Sequence, residues 1–208
     1  MKIRFSVLGK IILAVLVISY GAITEVRAGT ITANEVVDGC GSANAANPSL
    51  LTKSFDKLCS MDIVFTVTNG TGMNSVVFSE GVTNLTKLTW SDFHMQLGFG
   101  FGSGFSSVGN CAVGFATSPL PSSVQFPTRG VSSSAIDWSG GQVQPNFIAN
   151  FVFTLNVLNL SDCVPPGSRT ANGFVFTLRE TPSVPEPTAI LLLGTGLAAV
   201  AIRRWQRR

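Results

Sequence analysis

The sequence predicts an all-β body, an antiparallel β-sandwich of Greek-key or jelly-roll type. Three observations predict it. Short runs of Val, Ile, Phe and Thr recur between clusters of Gly, Ser, Asn and Pro, the pattern of strands joined by turns. The 208 residues include 21 Gly and 15 Phe but only 12% charged residues, too aromatic and too weakly charged for a disordered chain. No long stretch of the body repeats its apolar residues at the 3.6-residue period of a helix.

The elements follow in chain order. Residues 30–37 read as a first strand. Residues 39–60, with two cysteines, Pro48 and many small side chains, read as a long loop tied at both ends. Asp62-Ile63-Val64-Phe65-Thr66-Val67-Thr68 is a strand, closed by the turn signal Asn69-Gly70. Shorter strands are expected at 75–79, 83–90 and 112–117, with Pro119 and Pro121 marking a loop. Ile136-Asp137-Trp138 reads as a strand that ends at Ser139-Gly140-Gly141. Phe151-Val152-Phe153-Thr154-Leu155 recurs letter for letter at Phe174-Val175-Phe176-Thr177-Leu178. In each copy the two Phe and the Leu share one face, so both strands are expected in one core with rings stacked across it. Internal duplication and a coincidence of good strand residues both account for the match. Pro165-Pro166-Gly167 supplies the loop between the copies.

The two ends differ from the body. Lys2, Arg4 and Lys10 precede apolar residues 11–23, and Val26-Arg27-Ala28 before Gly29 offers a small-residue cleavage site. Residues 1–28 are therefore expected to be a signal peptide cut between Ala28 and Gly29, with Ala22 as the alternative. At the other end, residues 188–202 form a charge-free apolar run of 15 residues. As a helix it would reach roughly 22 Å, short of a ~30 Å hydrocarbon core. Arg203, Arg204, Arg207 and Arg208 follow as a basic stop whose stems can snorkel, and Trp205 suits an interface. The positive-inside bias places this end in the cytoplasm and the body outside. A core helix with a basic cap is the other reading of the run. Pro185 and Pro187 remove two backbone donors and keep Glu186 extended and accessible.

The order Pro185-Glu186-Pro187, apolar segment, arginine cluster resembles the PEP-CTERM sorting signal of Gram-negative bacteria. The resemblance covers the last two dozen residues. It implies processing at Pro185, Glu186 and Pro187 by an exosortase, a membrane cysteine protease-transpeptidase. It also implies a transient inner-membrane anchor, then a surface or matrix location associated with exopolysaccharide and biofilm. The chain then divides into a signal peptide (1–28), a body (29–183) and a sorting signal (184–208).

Charge supports this division. Residues 1–28 carry four basic residues and one acidic, and residues 185–208 carry the same. The 156 residues between them carry six basic and nine acidic, so the formal +3 of the chain belongs to the ends. A mildly acidic body gives a nucleic-acid partner no electrostatic support. Cys40, Cys59, Cys111 and Cys163 are an even set in an exported chain, which implies disulfides. Of three pairings, Cys40–Cys59 and Cys111–Cys163 close the shortest loops. No Cys-x-x-Cys occurs and there is one histidine, so no metal site or cofactor is expected.

One stretch carries the remaining candidate chemistry. Trp90-Ser91-Asp92-Phe93-His94-Met95 runs into Gly98-Phe99-Gly100-Phe101-Gly102-Ser103-Gly104-Phe105. A hydrolase centred on His94 would need Ser, His and Asp converging on an oxyanion site, and there is no Gly-x-Ser-x-Gly elbow. The bland alternative pairs Asp92 with His94 on a sheet surface. The glycine run lacks a Lys-Ser/Thr ending and a following helix, so it is no phosphate cradle. Its alternation fits a loop or bulged strand in which rings pack and glycines allow close backbone approach. Trp90, Phe99, Phe101, Phe105 and Trp138 would form the platform of a carbohydrate-binding module if exposed. No dense Asp/Asn loop for calcium occurs. The leading expectation is a non-enzymatic surface or matrix protein.

Overall fold

A computed structural model describes residues 30–185, apart from 38, 45, 46, 48, 69–73, 109, 110 and 158–162. The signal peptide with Ala28 and Gly29, and the tail from Glu186 onward, lie outside the described residues.

The described residues form two β-sheets over one core. The first holds β1 (Thr30–Val37), β4 (Met61–Thr68), β14 (Gly173–Ser183), β6 (Asp92–Phe99), β11 (Ala135–Ser139) and β10 (Thr128–Val131), side by side in that order. Short β13 (Arg169–Thr170) adds to β14, and β7 (Ser106–Ser107) adds to β6. The second sheet runs β2 (Gly41–Asn44), β3 (Leu50–Phe55), β5 (Asn74–Asn84), β12 (Ile148–Val157), β8 (Val113–Phe115), with β9 (Ser122–Ser123) also on β12. All pairs are antiparallel except β3 with β5. That parallel pair is possible because the chain crosses to the first sheet as β4 before returning as β5. The all-β expectation therefore holds, with a mixed second sheet in place of a purely antiparallel one.

The first strand, the strand after Ser60 and the strand at Ile136 stand where the sequence placed them. Three expectations need correction. Residues 39–60 are not only loop: they hold β2 and β3, a hairpin whose inward residues are Leu51, Lys53 and Phe55. Residues 75–90 are not two strands: β5 runs unbroken to Asn84, and a bend follows. Asn84 causes the bend. Its buried amide donates to Leu88 O and Val143 O, and its Oδ1 accepts from the Thr86 backbone and hydroxyl. The 112–117 strand is also shorter, because Ala112 takes a left-handed conformation (φ 56°) just before β8.

The two copies of Phe-Val-Phe-Thr-Leu become the inward faces of β12 and β14, one in each sheet. Their rings do not stack on each other but are joined through a relay. Phe176 stacks on Phe65 at 5.2 Å. Phe65 meets Phe78 edge-on at 5.6 Å across the core. Phe78 stacks on Phe153 at 5.4 Å. Such pairs each add about 0.5–1.5 kcal/mol beyond burial. The disulfides are Cys40–Cys59 and Cys111–Cys163, with Cα separations of 5.6 and 5.9 Å. The first fastens the β2–β3 hairpin to the start of β4. The second holds the segment before β8 against the approach to β13.

Candidate functional site

The end of β14 positions the tail. This strand is internal to the first sheet, between β4 and β6. Proline is normally excluded from such a strand because it cannot donate to the ladder, yet Pro182 is buried here opposite Phe93. The register explains it. β4 begins at Met61, opposite Glu180, so beyond Glu180 only β6 remains as a partner. The Ser183 carbonyl accepts from Ser91 N–H on the β6 side at 2.9 Å. By alternation the Pro182 nitrogen faces the side that β4 has not yet reached. Val184 then packs against the core and Pro185 is exposed. The chain thus leaves a well-anchored strand and becomes accessible at the first residue of Pro185-Glu186-Pro187.

The glycine-phenylalanine stretch folds back over the outer face of this sheet. Two sites require glycine. A side chain on Gly98 would occupy the place of the Phe105 ring, and Gly100 has φ +72° beside the Gly104 carbonyl. Asp62 and Arg179, register partners on β4 and β14, hold the stretch down. Arg179 Nε and Nη2 donate to Asp62 Oδ1 and Oδ2, each at 2.7 Å. Nη2 also donates to Gly102 O, and Asp62 Oδ2 accepts from Gly102 N–H, again at 2.7 Å. The guanidinium lies 4.0 Å over the Phe105 ring. The Thr177 hydroxyl donates to Gly100 O at 2.6 Å. This anchor was not legible, since Asp62 and Arg179 stand 117 positions apart. Their shared register is the only signal, and it exists only once β4 and β14 pair.

Arg179→Ala should cost about 2–3 kcal/mol in urea unfolding. That is below the ~3–5 expected when a fully buried pair loses one partner, because the Arg179 side chain keeps 20% of its exposure. The same variant should admit chymotrypsin at Phe101 and Phe105 under native conditions. Unchanged cleavage would mean the loop is held by something else.

His94 pairs with Asp137 of β11, not with Asp92 as the surface-pair expectation had it. Nδ1 lies 2.8 Å from Asp137 Oδ1, because the register sets those two residues opposite each other. Asp92 is instead engaged by the Ser91 hydroxyl at 2.5 Å. Ser183 Oγ lies 3.5 Å from His94 Nε2. Ser183, His94 and Asp137 thus stand in the order of a hydrolase triad, but on an open sheet face. The Asp137 side chain is 66% exposed, where a triad carboxylate is buried. Ser183 sits in strand backbone and not on a sharp turn that could offer oxyanion donors.

The aromatic platform is not assembled. Trp90 and Trp138 are fully buried and Phe99 nearly so, while the Phe105 ring is covered by Arg179. Phe101 alone of the five is exposed. Trp90, bridged to Val143 just before β6, meets Phe55, and Trp138 of β11 meets Phe151, so both indoles belong to the core. A shallow depression of about 500 Å³, lined by Thr117, Leu120, Pro127, Thr128, Arg129 and Val131, gathers no carboxylate, histidine or cysteine. Among the described residues no helix is long and apolar enough to cross a membrane, and the apolar run at 188–202 falls outside them.

Neither the curated proteins nor the solved structures contain a match to this chain. One family model matches, that of the PEP-CTERM protein-sorting motif, over residues 183–208. Its first residue, Ser183, is the last residue of β14, so the motif starts where the described strand ends. The chain carries the PEP-CTERM sorting motif of an exported, exosortase-processed protein.

Proposed function

We propose that this protein is a non-enzymatic component of the Gram-negative cell surface or extracellular matrix. It is a β-sandwich scaffold delivered through its signal peptide, held briefly in the inner membrane by its tail, and handed over by an exosortase. The observation that carries this reading is the sorting motif at residues 183–208, continuous with an internal strand of a disulfide-tied body. Two features support a structural role for the body. Its largest aromatic side chains are spent on the core. Its single histidine lies on a flat, solvated face with a mostly exposed partner. Exopolysaccharide is the proposed neighbour after delivery.

The test is fractionation of a host that has an exosortase and makes exopolysaccharide. The body should appear in the surface or matrix fraction without its tail, and polysaccharide-degrading enzymes should release it. His94→Ala should change neither its location nor the hydrolysis of an ester, peptide and glycoside panel. A body that stays soluble in the periplasm, or turnover that disappears with His94→Ala, would overturn the reading.

A further inference from the structure

The β3 strand places a lysine where a hydrophobic residue is expected. Leu51, Lys53 and Phe55 all face the core, and the Lys53 side chain has no solvent exposure. Two carboxylates meet it. Glu80 of β5, in the same sheet, lies with Oε1 2.8 Å from Lys53 Nζ. Glu180 of β14, in the facing sheet, accepts a hydrogen bond from Nζ at its Oε1. Both glutamate side chains are fully buried. Their register neighbours are apolar: Leu51 and Phe151 beside Glu80, Met61 and Met95 beside Glu180. Each of these four is buried too.

The cluster is incomplete as an ion pair. One cation faces two acids. Glu80 Oε1 has only its ion-pair contact with Nζ, and Glu80 Oε2 and Glu180 Oε2 make no well-aligned hydrogen bond, although all three are out of water's reach. Unpaired buried oxygens and an excess buried charge are costly, and native interiors rarely keep them. Burial, and after it the charge of Glu180, pushes the Glu80 carboxyl well above the usual carboxylate range, which favours its protonated form. What is assembled is a lysine nitrogen, an acid in contact with it, and a second acid touching the same nitrogen.

We infer that Lys53 and Glu180 condense into a side-chain amide, an intramolecular isopeptide bond joining the two sheets, with Glu80 as the proton-transfer catalyst. In the first step of this condensation one Nζ proton passes to a Glu180 oxygen, which leaves Nζ with a free lone pair and Glu180 as the carboxylic acid. The Nζ lone pair attacks Glu180 Cδ and the Nζ–Cδ bond forms. The Cδ–O bond to one carboxyl oxygen breaks. Glu80 gives its proton to the departing oxygen, which leaves as water, and takes a proton from Nζ in its place. One ammonium and one carboxylate become one amide and one water, with no oxidant or activating group needed. Holding the reactants in contact inside a rigid core replaces a bimolecular encounter by an intramolecular one. Once water has left, the surrounding Leu, Phe and Met side chains keep it from returning.

The bond would close a loop of 127 positions that contains the whole Cys111–Cys163 disulfide. It would also tie β14, the strand that leads to the sorting tail, to the opposite sheet. Force applied at the tail would then pass into both sheets through a covalent link.

The experiment is an intact mass measurement on the full chain, purified oxidised and then fully reduced and denatured. The expected mass is one water below that of the processed sequence. Trypsin should fail to cut after Lys53, and the peptide holding Lys53 should be joined to the one that begins at Glu180. Glu80→Gln keeps the shape and removes the shuttle. With both disulfides mapped as native to show that it folds, it should have the full mass. A wild-type chain at full mass, or a water loss that maps elsewhere, overturns the bond. A cross-linked Glu80→Gln chain overturns the catalytic assignment of Glu80.

Discussion

Replacing Lys53 with methionine lowers the stability of the body by about 3–5 kcal/mol from its uncompensated carboxylates alone. Methionine fills much the same volume, so a cavity is not the cause. The cost comes from Glu80 and Glu180, which remain at zero exposure with no lysine nitrogen left to engage either acid. Removing the carboxylates as well should therefore help: the triple variant Lys53→Met, Glu80→Gln, Glu180→Gln should unfold at higher urea than Lys53→Met alone. The pH dependence has a definite sign. A carboxyl whose folded pKa is raised binds its proton more tightly in the folded state. Above the unfolded value, about 4.3 for Glu, the unfolded chain releases that proton first, so stability falls as pH rises toward the raised folded value. Glu80 already shows this shift. Without Lys53 the two free acids face each other unpaired, which raises it further, so the deficit of Lys53→Met should grow from about pH 4 to pH 7. Urea midpoints at several pH values check this. A single variant as stable as the wild type at pH 7, or a deficit that shrinks with rising pH, would show that Lys53 does not compensate the buried acids.

How much of this could be read from the sequence depends on where each signal resides. Runs of β-branched and aromatic residues located β1, β4 and β11, and in β11 the inward Ile136 and Trp138 alternate with outward polar or small residues. Loop-closure reasoning gave both disulfides. The β3 strand was hidden by the residue that makes it distinctive. In Leu51-Thr52-Lys53-Ser54-Phe55 a lysine occupies an inward position, so alternation is broken in the text but intact in space. The expected interruption between residues 79 and 83 does not occur, and Gly81 sits inside β5 because the strand only needs ordinary extended backbone there. Partners that meet through register, such as Asp62 with Arg179 or His94 with Asp137, are separated by 117 and 43 positions and leave no local trace. The sorting motif was legible for the opposite reason. Its parts are contiguous and act in order along the chain, so no tertiary pairing is needed to assemble them.

Glu186→Ala should change the fate of the protein completely while leaving its body unchanged. Val184 is packed against the core and Pro185 is the first exposed residue after β14. A protease working at the membrane therefore meets the motif directly below a rigid strand, with almost no slack chain between them. Pro185 and Pro187 fix φ near −65° and remove two donors, which keeps Glu186 out of any helix that continues upward from the apolar run. Alanine at 186 preserves that backbone and deletes one carboxylate, so any effect belongs to recognition and not to shape. The expected variant keeps its tail, has the mass of residues 29–208, and sediments with the inner membrane. Its thermal unfolding should match the wild type within about 1 °C, since position 186 lies beyond the last strand. Lengthening the connection with a Gly-Ser insert after Val184 provides the control: it leaves the motif intact and should still be processed. If Glu186→Ala is cut and released like the wild type, the carboxylate between the two prolines is not what the exosortase reads.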